Sequence, residues 1–461
     1  MTSKTQRILI LGGGFGGLYA ALRLEKIFSG DESVEITLVS EENFLLFTPM
    51  LPEVPSGSIE AKHIVSPLRA FFRKVKFQNA NVESIDLQSR VVVASHCGVC
   101  GPHELKFDHL VLALGSITQF HGLVGVAENA FPMKTLSDAM VLRNHIIDVF
   151  EHADMQSEPA AREAMLTFVV AGGGFAGAET VAELHDFAYT VRRYYSNIRP
   201  EEVKVVLVHS GARIMPEISE TLAVYAANKL KTKGIDVVLN TRVASAASGW
   251  VDLSNGQRIV TRTLIWTTGV APSPLLATTS CRRNKRGQVS VNEFLEVPGH
   301  PGIWALGDCA EIPTPQAGQS YPPTAQHAIR QGKVVAENIA ASLRGGRMQP
   351  FIYKPIGMLA SLGRRSAVAE ICGFRFSGFF AWWLWRTVYL FKLPGLERKV
   401  RVAMDWTLDL FFPRDIVLLK LVKKRAASEL PVVGAETKSP LPGQELPELD
   451  PRFPSSGAAP Q

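Results

Sequence analysis

The chain has 461 residues, 46% of them apolar, 20% charged and 8% aromatic, which suffices for two or three ordinary domains and excludes a disordered chain or a minimal scaffold. Five scattered cysteines (Cys97, Cys100, Cys281, Cys309 and Cys372) cannot form a disulfide framework, and no charged-then-apolar leader precedes Arg7, so an intracellular protein is expected. Lys plus Arg (49) against Asp plus Glu (43) leaves +6, an excess whose meaning depends on where the charge sits.

The first element is RILILGGGFGGLYAALRL (Arg7 to Leu24): an apolar run of strand length, a glycine cluster, then helical periodicity. Gly12, Gly14 and Gly17 form GxGxxG, a turn that lets backbone approach a pyrophosphate while helix-terminal N–H groups meet its charge. A second strand, VEITLV (Val34 to Val39), supplies the order that a right-handed crossover needs. It runs into Ser40, Glu41 and Glu42; Glu41 is the candidate ribose-binding acid, with Ser40 as helper. The pair Cys97 and Cys100, flanked by His96 and His103, has no second pair at finger spacing, so it reads as a glycine-rich hairpin connection and no metal site is expected. HLVLALGS (His109 to Ser116) returns the chain to the nucleotide face at Gly115.

LTFVVAGGGFAGAETVAEL (Leu166 to Leu184) repeats the opening arrangement, with Gly172, Gly174 and Gly177 in the motif positions. Two such units imply two dinucleotide-binding domains. Its second strand, VKVVLV (Val203 to Val208), ends in His209, Ser210 and Gly211 with Arg213 nearby and no acid, which leaves NADH against NADPH open because arginine accommodates a 2′-phosphate. TLIWTTGV (Thr263 to Val270) matches the earlier return strand and places Gly269 like Gly115. GIWALGDCAE (Gly302 to Glu311) contains Gly307 and Asp308 and leads through YPPT to a helix beginning AQHAIRQG, for which Thr324 is the expected N-cap.

From about Cys372 the composition changes. The apolar stretch Phe379 to Leu393 carries Arg386 in its middle and falls short of the roughly 20 apolar residues that a spanning helix needs. Between Phe374 and Arg425 there are eleven basic and four acidic residues. Leu418, Leu421 and Val422 fall opposite Lys420, Lys423 and Lys424 on a helical projection, an amphipathic helix suited to an anionic membrane surface. The thick apolar face argues against nucleic acid. After Ala426 a tail rich in Pro, Glu, Gly and Ser is expected to be disordered.

These pieces together resemble the flavoprotein pyridine-nucleotide reductases and, within them, the type II NADH:quinone oxidoreductases. The resemblance rests on GGGFGG, NFLLFTPMLPEV (Asn43 to Val54), LALGS, FPMKTLSDAMVLRNHI (Phe131 to Ile146), GGGFAGAETVAEL, WTTGVAPSPLL, ALGDCAEIP and PPTAQHAIRQG. It implies an α/β fold of two Rossmann-like domains: an FAD domain (1–125 and 301–371) interrupted by an NAD(P)H domain (126–300). A membrane-association segment (372–425) and the tail (426–461) would follow. It implies FAD on the first turn, with Thr48 among the contacts and Asp308 near the ribityl or pyrophosphate, and NADH on the second, NADPH being left open. Ala325 and Gln326 would lie by the flavin ring near the quinone headgroup. Glu179 would stand near the nicotinamide, and Glu183 between the nicotinamide and quinone sides. The family's second glutamine, four residues after the first, is here Arg330, with Gln331 beside it. The implied activity is FAD-dependent, non-proton-pumping transfer of a hydride from NADH and of two electrons to a membrane quinone. The implied place is peripheral, on the cytoplasmic face of the cell membrane, and a homodimer is suggested. No cysteine precedes Cys97, which argues against disulfide reduction, and Cys309 reads as a small buried residue. The alternatives are a soluble NAD(P)H diaphorase or ferredoxin-type reductase, and a redox-sensing interaction module without turnover.

Overall fold

The computed structural model describes residues 5–96, 100–316 and 318–419. Strand β1 (Gln6–Leu11), helix α1 (Phe15–Ile27), β2 (Val34–Ser40), β3 (Lys76–Asn79) and β4 (His109–Leu112) build the first sheet. The repeat follows as β5 (Ala130–Pro132), helix α2 (Leu136–Met155), β6 (Thr167–Ala171), α3 (Phe175–Val191), β7 (Lys204–Val208), β8 (Ile235–Val238) and β9 (Thr263–Trp266). Then β10 (Ile303–Ala305) returns to the first sheet and α4 (Ala325–Arg344) crosses it. The two orders, β10-β4-β1-β2-β3 and β5-β9-β6-β7-β8, are the same arrangement made twice, with all pairings parallel. Both central strands are covered on two faces, which is why ILIL and FVVA are continuous apolar runs rather than alternating ones.

The two glycine units therefore give two doubly wound halves, as expected for the fold class. The chain crosses between them through an antiparallel pair, Ser116–Thr118 with Val270–Pro272. Leu276, Val289, Leu295 and Val297 pack into the core of the first sheet, so the return is under way soon after the crossing strand. Helix α4 lies against α1 so closely that a Cβ on Gly332 would stand 2.4 Å from the Gly16 carbonyl oxygen, and this fixes the start of α4 over the nucleotide turn.

The compositional change near Cys372 falls inside a three-stranded antiparallel sheet, Gly357–Ser361, Ala367–Ile371 and Phe374–Ser377, which feeds helices α5 (Gly378–Lys392) and α6 (Leu396–Phe411). Neither helix is an appendage: Trp382, Trp385, Leu393, Val402 and Trp406 are buried in the largest core, together with Met50, Val181 and Phe187. Up to Leu418 the chain is one unit. Helix α6 is itself amphipathic, and the described chain from Pro413 to Leu419 is irregular. Lys420, Leu421, Val422, Lys423, Lys424 and the tail 426–461 lie outside the described residues, as does Cys97. The strands on either side, Val91–His96 and Cys100–Lys106, do form the expected hairpin. Among the described residues no helix is long and apolar enough to cross a membrane.

Candidate functional site

The two glycine turns have nearly the same geometry. Gly12 and Gly172 each take φ 109°, a conformation that side chains rarely adopt. A Cβ on Gly17 would stand 1.9 Å from the Gly12 carbonyl oxygen, and one on Gly177 would stand 1.7 Å from that of Gly172, so each helix starts in contact with its own strand end. A Cβ on Gly14 or Gly174 would meet nothing within 4 Å. The turns thus close on the protein side and open on the other, with the first amides of α1 and α3 directed outward: a cradle for a pyrophosphate.

Below the loops the two sites differ. At the first, Ser40 packs beneath Gly13. At the second, His209 takes that place and its Nδ1 accepts a hydrogen bond of 3.0 Å from the Gly173 amide. Glu41 is exposed at the end of β2, and exposed Ser210 stands at the matching place after β7. Arg213 is exposed and donates to the Pro216 carbonyl at 3.0 Å.

A cleft of about 600 Å³ opens over the first turn. It gathers Gly12, Gly14, Ser40, Glu41, Thr48, Gly115, Asp308 and Ala325 from six separate segments. Asp308 Oδ2 accepts from Ser116 Oγ at 2.7 Å, and Lys134 Nζ lies 3.5 Å from the same oxygen, so the cleft carries a carboxylate beside a cation. This cleft, lined from the glycine turn through Asp308 to Ala325, fits FAD. Gly269 is outside it: its Cβ position lies 2.2 Å from His121 Nε2, closed off by a neighbour.

At the start of α4, Thr324 occupies the N-cap position as expected, but its hydroxyl pairs with His327 Nδ1 at 2.6 Å instead of capping an amide. Gln326 Oε1 accepts from the Tyr353 hydroxyl at 3.2 Å. Helical phase separates the two candidates for the second glutamine. Gln331 is buried and its Oε1 accepts from the Gly307 amide at 2.9 Å, on the cleft side. Arg330 turns the other way, with its guanidinium 4.1 Å from the Tyr353 ring centroid and a bond of 2.8 Å to the Gln326 carbonyl.

Glu179 and Glu183 share the inner face of α3, as their spacing requires, and both are buried. Glu179 Oε1 accepts from the Ser361 amide at 2.9 Å, yet burial pushes its carboxyl up to about 8. Glu183 Oε2 accepts from Ser56 Oγ at 2.8 Å and Ser58 Oγ at 3.1 Å, and Arg414 lies 3.4 Å away. Arg414 in turn pairs with Asp409 at 2.8 Å.

A third carboxyl, Glu53, escaped the sequence reading. It ends the short helix that begins at Thr48 in the cleft, is 4% exposed, and accepts from Trp406 Nε1 at 2.8 Å. Its signal was an acid inside the apolar TPMLPEV. A ring path connects cleft and cluster: Phe15 to Phe47 at 6.0 Å, Phe47 to Tyr389 at 6.2 Å, then Trp385 at 4.9 Å and Trp406 at 6.1 Å. The Cys309 thiol donates to the Leu306 carbonyl at 3.2 Å and is pushed by burial up to about 11, so it is not a thiolate nucleophile.

A family model described as pyridine nucleotide-disulphide oxidoreductase matches residues 6–332, and a second, the NDH2 C-terminal domain, matches 356–415. The chain is 32% identical over 420 residues to a probable NADH dehydrogenase of Dictyostelium discoideum, covering 90% of this chain and 91% of that one. It is 32% identical over 426 residues to the type II NADH:quinone oxidoreductase Ndh of Mycobacterium tuberculosis, covering 89% of each. The demethylphylloquinone reductase NdbB of Synechocystis is also 32% identical, over 88% of this chain and 96% of its own length. Among solved structures, that of NDH2 from Plasmodium falciparum in complex with NADH superposes with a TM-score of 0.83 at 22% identity, over 90% of this chain and all of that one. The sulfide:quinone oxidoreductase of Aquifex aeolicus has the same general fold, with a TM-score of 0.67 at 18% identity, over 89% of this chain and 96% of that one.

Proposed function

The chain belongs to the type II NADH:quinone oxidoreductases of the pyridine nucleotide-disulphide oxidoreductase family, and from that premise we propose a role for each part of its site. The enzyme oxidises NADH with FAD and reduces a quinone without pumping protons. FAD supplies hydride acceptance and two-electron delivery; the chain supplies binding, orientation and exclusion of water. FAD would lie in the first cleft with its pyrophosphate on the Gly12 to Gly17 turn, Glu41 and Ser40 at the ribose, and Thr48, Gly115, Asp308 and Ala325 along its length. NADH would take the Gly172 to Gly177 turn. The observation that carries this reading is the duplicated turn, closed beneath by Gly17 and Gly177 and open above at Gly14 and Gly174.

The quinone headgroup would meet the start of α4. Tyr353 holds Gln326 Oε1, which leaves the amide N–H free to donate to a quinone carbonyl. A single neutral hydrogen bond contributes about 0.5–1.5 kcal/mol, so Gln326→Ala should raise the quinone KM about two- to tenfold with NADH kinetics unchanged. Unaltered quinone kinetics would remove Gln326 from the site. Anaerobic titration with NADH, then NADPH, then a short-chain quinone, followed through the flavin band, tests the electron path and the nucleotide choice together.

The enzyme would sit on the cytoplasmic face of the membrane by way of α5 and α6. Leu396, Val400, Met404, Leu408 and Phe411 form an exposed apolar stripe on α6, continued by Phe379, Phe380, Trp383 and Phe391 on α5. Arg398, Lys399 and Arg401 flank the stripe. Each Phe withdrawn from lipid forfeits roughly 1.5–3 kcal/mol. Phe391→Ser combined with Phe411→Ser should therefore weaken sedimentation with anionic liposomes at least about tenfold. If the double variant sediments like the wild type, the stripe serves a homodimer instead, and its sedimentation coefficient should fall.

A further inference from the structure

We propose that Glu53 is a proton-holding partner of Glu183, and that the pair supplies the proton that completes the quinol. Ser56 Oγ lies 3.0 Å from the Glu53 carbonyl oxygen and 2.8 Å from Glu183 Oε2, and so links the short helix that ends at Glu53 to α3. Donors and charges gather around them within an otherwise apolar core. Ser56 and Ser58 donate to Glu183 Oε2, Trp406 Nε1 donates to Glu53 Oε2, and Arg386, Arg414, Asp409 and Glu179 surround the pair. Glu53 Oε1 is buried and has no hydrogen-bond partner among the described residues, which is costly for an ionised carboxylate and tolerable for a protonated one. An ionised Glu53 would also be repelled by the Glu183 charge, so the proton is held on Glu53. Burial first, then the Glu183 charge, pushes the Glu53 carboxyl up to about 8.

The balance is simple. A hydride leaving NADH carries two electrons and one proton, and a quinol needs two electrons and two protons. The pair gives the second proton and recovers it from solvent, so no further oxidant or reductant is consumed. The cluster is one short helix away from the cleft, since Thr48 lines the cleft and Glu53 ends the helix that Thr48 begins. Glu53 acts through Glu183 and is a positioning residue in that sense. The inference rests on the quinone placement proposed above.

The test uses the flavin-loaded enzyme with NADH and a short-chain quinone. Glu53→Gln should lower kcat about tenfold, below the 10²–10⁴ typical of a direct general acid, with both KM values unchanged and the alkaline limb of the pH profile lost. Trp406→Phe removes the one N–H that favours the ionised form, and should move that limb to higher pH. A readout independent of activity is thermal stability against pH. The unfolded carboxyl ionises near 4.5 and the folded one near 8, so the folded state binds more protons between these values and stability falls as pH rises through them. Glu53→Gln should flatten that decline, leaving the part due to Glu179. A variant with wild-type kcat and an unmoved limb overturns the proposal, as does one slowed equally at every pH with a raised KM. Should Glu53→Gln not fold, Trp406→Phe decides alone: an unshifted limb is fatal. Gln326→Ala separates the premises. If it raises the quinone KM while Glu53→Gln does nothing, only the proton pair fails; the converse pattern removes only the quinone placement.

Discussion

Gly17→Ala should yield a protein that purifies without its yellow colour, whereas Gly177→Ala should purify yellow and need at least about tenfold more NADH to bleach. The reason is the same in both turns. The new methyl would lie 1.9 Å from the Gly12 carbonyl oxygen in the first case and 1.7 Å from that of Gly172 in the second, distances at which the strand end or the helix start must move. Overpacking a side-chain core costs roughly 1–3 kcal/mol. Here the obstacle is backbone, and the atoms displaced are those that hold the pyrophosphate. We expect flavin content to fall at least about tenfold for the first variant, measured by absorbance, and the NADH KM to rise by a similar factor for the second. The contrast carries the information, because a merely destabilised fold would lose both functions together. Full flavin in Gly17→Ala would mean that the first turn is not the FAD cradle.

Arg414→Ala should be the most destabilising single change in the C-terminal region. Its guanidinium is 5% exposed at the side chain and lies between Asp409, at 2.8 Å, and Glu183, at 3.4 Å, themselves 4% and 6% exposed. Removing the cation leaves Asp409 without its paired charge and Glu183 with only the Ser56 and Ser58 hydroxyls. Breaking a buried pair in this way costs about 3–5 kcal/mol, much more than the intact pair contributes. Arg364 also reaches the Asp409 carbonyl, but its guanidinium is 3.9 Å from the carboxylate and its side chain is 44% exposed, so it compensates little. The denaturation midpoint should fall accordingly, and α6 should become sensitive to limited proteolysis before the nucleotide domains do. A change within about 0.5 kcal/mol would place Arg414 among ordinary surface residues.

The resemblance read from the sequence gave the family, the cofactors and the reaction class, and the relatives bear these out. It could not give the helix that carries the apolar stripe. Around Leu418 a seven-residue pattern satisfied an amphipathic projection, while α6 has apolar residues on two sides: Val402 and Trp406 face the core, and Val400, Met404 and Phe411 face outward. Burial, and not periodicity alone, separates the two apolar sides of α6, and the expected pattern from Lys420 onward lies outside the described residues.

What the sequence determined by itself is what neighbouring residues determine: strand, glycine turn and helix follow within about a dozen positions, and both units fold as they read. Steric demands at Gly12, Gly17, Gly172 and Gly177 are local, and so is the requirement for an apolar strand beside each. Only the tertiary structure decided which charges meet. Glu53, Glu183 and the Asp409–Arg414 pair come from three stretches of chain, Tyr353 reaches Gln326 from beyond the end of α4, and Gln331 rather than Arg330 faces Gly307 because of how α4 is rotated against α1. Burial sets the cost of each of these groups, and burial belongs to the packed whole and not to any segment of it.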